Sequence, residues 1–443
     1  MLQFFSASTS VVDSKRAMAD CLESALGGEQ SLDCDLLIFY TGMGHNFRDL
    51  LSEAHRLSPG AQIVGSTCAG VIGKEGPNES LRALGIMAIK GPRNEFAVTG
   101  LNSVNQQEPF ECGFQMAKDL KSKLPECNII LFHPLTGLYR ANKSIEGIES
   151  IFGPDIPVIG GASIDNMKLI SCFQFLGDQI FEEGAVMIGL ADPTLELICQ
   201  ANHGQTSIGD PFIVTRVENN MIIELNGKSP WKVWTERLGM PVTSKSADIL
   251  LFSPLAVKLP EEYREEYGTN DLVIGTANNG DGTLFSSHEI KEGDSLWLTK
   301  RNENTIYESV DRQMVVILDR CMGRKPVAVF HADCAARGKL MFNRIIKEEI
   351  TGNMQFPLCK GEPIPWLGMY GGGEYTPLKG KNMLHFFTTS LYVLVRRTPK
   401  IIKEDERIIP EMVKTSKLFE KTFINNIPLC LLYTSDAADE EDS

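Results

Sequence analysis

The chain has 443 residues, 43% of them hydrophobic and 23% charged, which supplies apolar material for two buried cores. A net charge of -14, with no Lys/Arg cluster interleaved with aromatics, argues against a phosphate-tracking nucleic-acid surface. No apolar run reaches the roughly eighteen residues that span a bilayer, and the opening MLQFFSASTS has neither the basic start nor the apolar length of a signal peptide, so a cytoplasmic location is expected.

Taken in chain order, the first strong pattern is a buried strand and polar loop, DLLIFYTGMGHN, then an amphipathic helix, FRDLLSEAHRL, then a second strand that opens into small residues, AQIVGSTCAGVIG. Phe47, Leu50, Leu51, Ala54 and Leu57 fall on one helical face. The pattern recurs as NIILFHPLTG, RANKSIEGIESIFG and IPVIGGASIDN, with Ala141, Ile145, Ile148 and Phe152 as the stripe. Between this unit and the next, the reading changes to antiparallel strands with turn pairs at Asn219-Asn220, Asn226-Gly227 and Asp281-Gly282. A boundary is expected near Asn226 to Leu238, where NGKSPWKVWTERLG reads as a turn and a short helix carrying Trp231 and Trp234. The segment Glu261 to Glu266, EEYREE, reads as a solvated face. The third unit runs PVAVFHADCAARG, KLMFNRIIKEEI and IPWLGMYGGGEYTP, with Met341, Phe342, Ile345 and Ile346 expected toward the core.

These patterns predict an α+β fold: two mixed-sheet domains, 1–226 and 227–397, in which strand-helix-strand units and antiparallel hairpins pack in layers. Parallel crossovers bring the loops after both strands of a unit to one sheet edge, where ligands bind in α/β sheets. The expected binding loops are therefore 65–70, 160–165, 334–338 and 370–374, with Ser66, Thr67, Gly161, Asp165, Cys334, Arg337, Tyr370, Gly372 and Glu374 as candidates. The triple glycine Gly371 to Gly373 is not a P-loop, because Glu374, Tyr375, Thr376 and Pro377 follow it instead of Lys-Ser/Thr and a helix. Its glycines instead let backbone approach backbone, or a small ligand.

Asp165 or Glu374 could receive a ligand ammonium and Arg337 could clamp a carboxylate, a set that suits an amino acid zwitterion. The bland alternative is that each carboxylate caps a turn and Arg337 pairs with one of them. An enzyme is the competing class: Cys334, with His331, His203 or His385 as base, would make a thiol nucleophile, although only two residues separate Cys334 from Arg337. The eleven cysteines are scattered and lack any CxxC pair, which fits reduced core thiols. His331, Asp333 and Cys334 are the nearest approach to a metal cluster, and alternation on a strand end accounts for them, so neither metal nor cofactor is expected.

The ordered pieces IVGSTCAGVIG, PVIGGASIDN, CFQFLGDQIFEEGAVMIGL, HGQTSIGDPFIVTRVENNMIIELNGKSPWKVW, FHADCAARGKL and WLGMYGGGEYTPLKGKNMLHFFTTSLYVL resemble the FIST proteins over about Asp35 to Leu394. That resemblance implies paired N-terminal and C-terminal FIST domains, bacterial signal transduction, and sensing of small molecules such as amino acids. The sequence departs from the pattern at Ile164, before Asp165, and at His331 and Asp333. A ubiquitin-ligase adaptor role, known for eukaryotic proteins with this domain, would need an F-box before the opening MLQFFSAS.

Beyond the last domain strand, Ile409, Met412, Ser416, Phe419 and Phe423 recur at threes and fours, so 398–429 is expected to be a linker or signalling helix that pairs two chains as a homodimer. The end of this stretch, LFEKTFINNIPL, is similar to the opening helix of a PAS domain, implying a downstream output domain. The final segment 430–443 begins CLLYTSDAADE, which resembles a translated transposase sequencing adapter and is set aside as non-native. It carries five acidic residues and no basic one, so without it the charge falls from -14 to -9 and the natural chain is expected to continue past Leu429.

Overall fold

Each of the three repeated segments folds as a parallel strand pair joined by a helix. Leu36–Thr41 pairs with Gln62–Thr67 across helix Phe47–Leu57, Ile129–Pro134 with Val158–Gly161 across Ala141–Phe152, and Pro326–Cys334 with Trp366–Gly371 across Arg344–Cys359. The strands read as near-continuous apolar runs because both of their faces are covered. Asn46 and Asn343 start two of the helices by accepting backbone N–H bonds from Arg48 and Asp49, and from Ile346. Leu50, Leu51 and Ala54 face the core from the first helix, and Ile145 and Ile148 from the second. The third helix corrects the expected stripe at Ile345, while Ile346 packs against the core. It runs on to Cys359, its buried face is carried by Ile350, Thr351, Met354 and Leu358, and this phase turns Ile345 outward, 74% exposed.

This computed structural model describes residues 1–29, 31–136, 141–218, 221–244, 253–273, 275–276, 280–286, 289–338 and 343–397. The helix expected over 398–429, the tail 430–443, the turn at Asn219-Asn220, and Met341 and Phe342 lie outside them. Among the described residues there are eight α-helices and four mixed or antiparallel sheets, an α+β fold, and residues 1–397 form one unit.

Three of the sheets repeat one strand order. The first runs Gln3–Thr9, Leu84–Lys90, Leu36–Thr41, Gln62–Thr67, Phe173–Leu176, Gln179–Glu182. The second runs Phe96–Leu101, Ala185–Leu190, Ile129–Pro134, Val158–Gly161, Glu374–Tyr375, Leu384–His385. The third runs Leu195–Asn202, Thr389–Arg396, Pro326–Cys334, Trp366–Gly371, Val71–Gly73, Gly76–Asn78. Each parallel pair is thus closed by a hairpin belonging to another unit: the first unit's hairpin completes the third sheet, the second's completes the first, and the third's completes the second. The exchange is cyclic, so no unit can finish its own sheet. The inner faces of all three sheets meet in one apolar cluster that includes Ile38, Val64, Met87, Leu131, Ile159, Ile188, Phe330, Leu367 and Leu394.

The fourth sheet, from Gln205–Glu218 to Ser295–Arg301, is inserted between strand Leu195–Asn202 and helix Glu303–Cys321 of the third unit. Its own core surrounds Trp231 and Trp234 on helix Pro230–Leu238. The Asn226-Gly227 turn takes left-handed backbone at both residues, with φ of 51° and 71°, as a tight hairpin requires. Segment 261–266 belongs to helix Glu261–Tyr267, whose glutamates face mostly outward while Tyr267 is buried against Ala201, Leu259 and Leu378.

Candidate functional site

The hairpin exchange draws the three small-residue strand exits together. Ala69 N donates to Tyr370 O (3.0 Å) and Tyr370 N to Gly70 O (2.8 Å), joining the first and third exits. Ile164 N donates to Thr67 O (3.2 Å), joining the second to the first. Gly372 N donates to Ala162 O (2.9 Å) and Ala162 N to Gly373 O (2.8 Å), joining the third to the second. The triple glycine therefore serves backbone-to-backbone approach. A Cβ on Gly372 would lie 2.0 Å from Thr136 Oγ1, and that hydroxyl donates to Gly372 O at 2.9 Å.

The candidate residues divide at these exits. Thr67 Oγ1 accepts from Phe173 N (2.9 Å), anchoring the second unit's hairpin on the first sheet, and Ser66 is buried beside Gln174 of that hairpin. Asp165 is buried and turned onto its own loop: Oδ1 accepts from Lys168 N and Leu169 N and Oδ2 from Ile170 N, all at 2.9 Å. It caps a turn. Gly161 lies opposite Glu374 in the exchanged strand pair, and Tyr370, Cys334 and Arg337 surround the same end of the third unit.

There the interior turns polar. Asp333 and Arg337 are both buried and paired, Nε to Oδ1 at 2.8 Å. Burial outweighs the guanidinium and holds the Asp333 carboxyl above its ordinary value. Glu374 is 0% exposed; its Oε2 accepts from Thr388 Oγ1 (2.9 Å) and Thr388 N (3.3 Å), and Oε1 has no hydrogen-bond partner. Burial pushes its carboxyl well above the ordinary carboxylate range. His385 lies opposite Glu374, with Nε2 on Thr376 O (3.0 Å) and Nδ1 3.6 Å from Asp271 of the inserted sheet. The Tyr267 ring packs between His203 and His385. On the other side of Thr388, His331 Nε2 meets Thr389 Oγ1 at 2.8 Å, and Gln313 Nε2 donates to Thr389 O at 3.1 Å. Around this one corner, buried Asn202 Nδ2, Gln205 Oε1, Gln313 Oε1, His331 Nδ1 and Glu374 Oε1 all lack hydrogen-bond partners.

The Cys334 thiol is buried and lies beside the Glu374 carboxyl. Burial, and then the Glu374 carboxyl, push its thiol well above the ordinary value, and the groups that lower it are the backbone of Ala336 and Phe387.

The profile of the FIST N domain matches residues 35–228 and that of the FIST C domain residues 231–377, together well over half the chain. The chain belongs to the FIST family. FIST domains are sensory domains of signal transduction. This FIST chain is 24% identical over 368 residues to an uncharacterized protein of Mycobacterium bovis, covering 78% of this chain and 86% of the relative. It is 23% identical over 365 residues to an uncharacterized protein of Mycobacterium tuberculosis, covering 78% and 87%. Among solved structures it is similar to a cyanuric acid hydrolase from A. caulinodans, at 9% identity and a TM-score of 0.33, covering 90% of this chain and 100% of the other.

Several members of the FIST polar cluster escape a strand-exit argument because they come from elsewhere. Asp271 and Gln205 arrive from strands of the inserted sheet, Tyr267 from the helix Glu261–Tyr267 of the same insertion, and Asn202 from the strand that precedes it. Gln313 carried a legible signal, since Ile306, Val310, Gln313 and Ile317 repeat at threes and fours and place an amide on a buried stripe. Glu79, on the first unit's exchanged hairpin, pairs with buried Lys347 and lies against Gly338, so it secures the Arg337 loop from outside. At the opposite ends of the strands lies an open groove of about 480 Å³, lined by Gln62, Ile63, Arg93, Phe96, Lys123 and Gln179. No helix among the described residues is long and apolar enough to cross a membrane.

Proposed function

We propose that this FIST sensor binds a small polar molecule, with amino acids as the first class, in the polar corner formed by Asp333, Arg337, Glu374, Thr388, Thr389 and His385. The observation that carries the reading is the concentration of unpartnered, fully buried donors and acceptors there: Asn202 Nδ2, Gln205 Oε1, Gln313 Oε1, His331 Nδ1 and Glu374 Oε1. Folded proteins leave few buried polar groups unsatisfied, because each costs about 1–3 kcal/mol. A bound polar molecule recovers that cost. The site joins the third unit, a hairpin lying on the second sheet and the inserted sheet, so occupancy would bias how these parts pack, which is what a sensor needs.

The test is a thermal-shift screen of amino acids, organic acids and nucleotides on the full chain. A ligand at about a hundred times its Kd adds about 2.7 kcal/mol of stability. A response to amino acids that Gln313→Leu and Glu374→Gln both weaken is expected; a response to nucleotides alone, or one indifferent to both substitutions, defeats the proposal.

A further inference from the structure

The unpartnered atoms of the polar corner have a hydrogen-bonding sense that their own side chains fix. Gln313 Nε2 donates to Gln200 O (2.8 Å) and to Thr389 O (3.1 Å), which spends both of its N–H groups and turns Oε1 away as a bare acceptor. Asn202 Oδ1 accepts from His203 N (2.7 Å), which turns Nδ2 away as a bare donor. The Thr389 hydroxyl has the Asp333 carboxyl and Met354 Sδ as acceptors, which directs its hydrogen away from His331. The hydrogen on the 2.8 Å contact between His331 Nε2 and Thr389 Oγ1 therefore belongs to the imidazole. Burial pushes His331 down to about 3, so the ring is neutral and its unpartnered Nδ1 accepts. Gln205 Oε1 is a carbonyl oxygen and accepts as well.

These side chains gather at one residue. Asn202 lies opposite Thr389 in the pair of strands Leu195–Asn202 and Thr389–Arg396, Gln313 is bonded to the Thr389 carbonyl and His331 to its hydroxyl. Gln205 follows three residues after Asn202 and is tied back by its N–H to His203 Nδ1 (3.1 Å). The wall thus offers three bare acceptors and one bare donor, all on uncharged groups.

Taking this corner as the ligand site, as proposed above, we infer that it recognises a primary carboxamide, so that among amino acids it selects those with an amide side chain. The two N–H groups of the amide donate among Gln205 Oε1, Gln313 Oε1 and His331 Nδ1, and its oxygen accepts from Asn202 Nδ2. A carboxylate has no hydrogen to give and would face three acceptors. An ammonium supplies donors but accepts nothing from Asn202, and Glu374, whose carboxyl burial holds well above the ordinary range, brings it no counter-charge. A hydroxyl offers one hydrogen where the amide offers two. An apolar side chain leaves every one of these buried atoms unsatisfied.

The experiment is calorimetric titration of the full chain with L-glutamine and L-asparagine, with their acid counterparts L-glutamate and L-aspartate, and with L-methionine and L-lysine. Expected is binding of an amide amino acid, with its acid counterpart, L-methionine and L-lysine weaker by about a hundredfold or more, because a site built around an N–H group strands its own buried partners when that group is missing. Asn202→Asp keeps the oxygen that His203 N uses and replaces the bare donor by an acceptor; it should weaken amide binding by about tenfold or more. The discrimination by the wild-type chain stands alone if the variant fails to fold. Binding of L-glutamate, L-methionine or L-lysine as tight as that of the amides, or an amide preference that a folded Asn202→Asp leaves intact, overturns the inference and leaves amino acid sensing in place. Silence from all six probes overturns both.

Discussion

Asp165 and Glu374 occupy similar places: each is a buried carboxyl just past the small-residue exit of a unit's second strand, and the two exits share backbone hydrogen bonds. Their surroundings divide them. Asp165 has both oxygens occupied by three amides of its own loop, so its charge is spent on holding residues 165–170. Glu374 has one oxygen on Thr388 and the other without a partner, inside a corner shared with the inserted sheet. Two carboxylates that look alike in sequence are therefore different objects, one a turn cap and the other a buried acid with capacity in reserve.

The comparison can be broken by substitution. The largest effect is expected for Arg337→Ala, which leaves buried Asp333 without its cation and should cost about 3–5 kcal/mol in urea unfolding. Asp165→Ala should cost about 1.5–3 kcal/mol by releasing three amides, without changing the response to a ligand that still saturates. Gly372→Ala forces Thr136 aside and should cost about 1–3 kcal/mol, measured in the same way. Glu374→Gln should change stability by within about 1 kcal/mol while weakening the ligand response; a loss as large as that of Asp165→Ala would make Glu374 a structural residue too.

The pH dependence sharpens the contrast. Glu374 binds its proton more tightly when folded, so above its ordinary value of about 4.5 the folded state holds a proton that the unfolded state has lost, and stability falls as pH rises through that window. Asp333 contributes in the same direction. His203, pushed from 6.5 down to about 4, has the opposite sign: the unfolded state binds the extra proton, and stability falls as pH drops from 6.5 to 4. Glu374→Gln should flatten the alkaline-side decline and leave the acid-side loss intact, checked by urea unfolding across pH.

What the sequence determined by itself is local. Strand-helix-strand periodicity, apolar runs covered on both faces, the left-handed turn at Asn226-Gly227 and the buried tryptophans of the inserted helix all follow from spacing within about a dozen residues. The strand-helix-strand pattern also groups Cys334, Arg337, Tyr370 and Glu374, which lie at the ends of one parallel pair. Tertiary structure alone decided the rest. Which sheet receives each exchanged hairpin depends on edge pairing between units separated by about a hundred or more residues, and no local pattern carries that information. The same long-range closure brings Gly161 opposite Glu374 and Asp271 beside His385 and leaves one Glu374 oxygen without a partner, whereas Asp165 is satisfied within its own loop. Whether a buried charge is satisfied depends on every group that surrounds it, and most of those groups are distant in the chain.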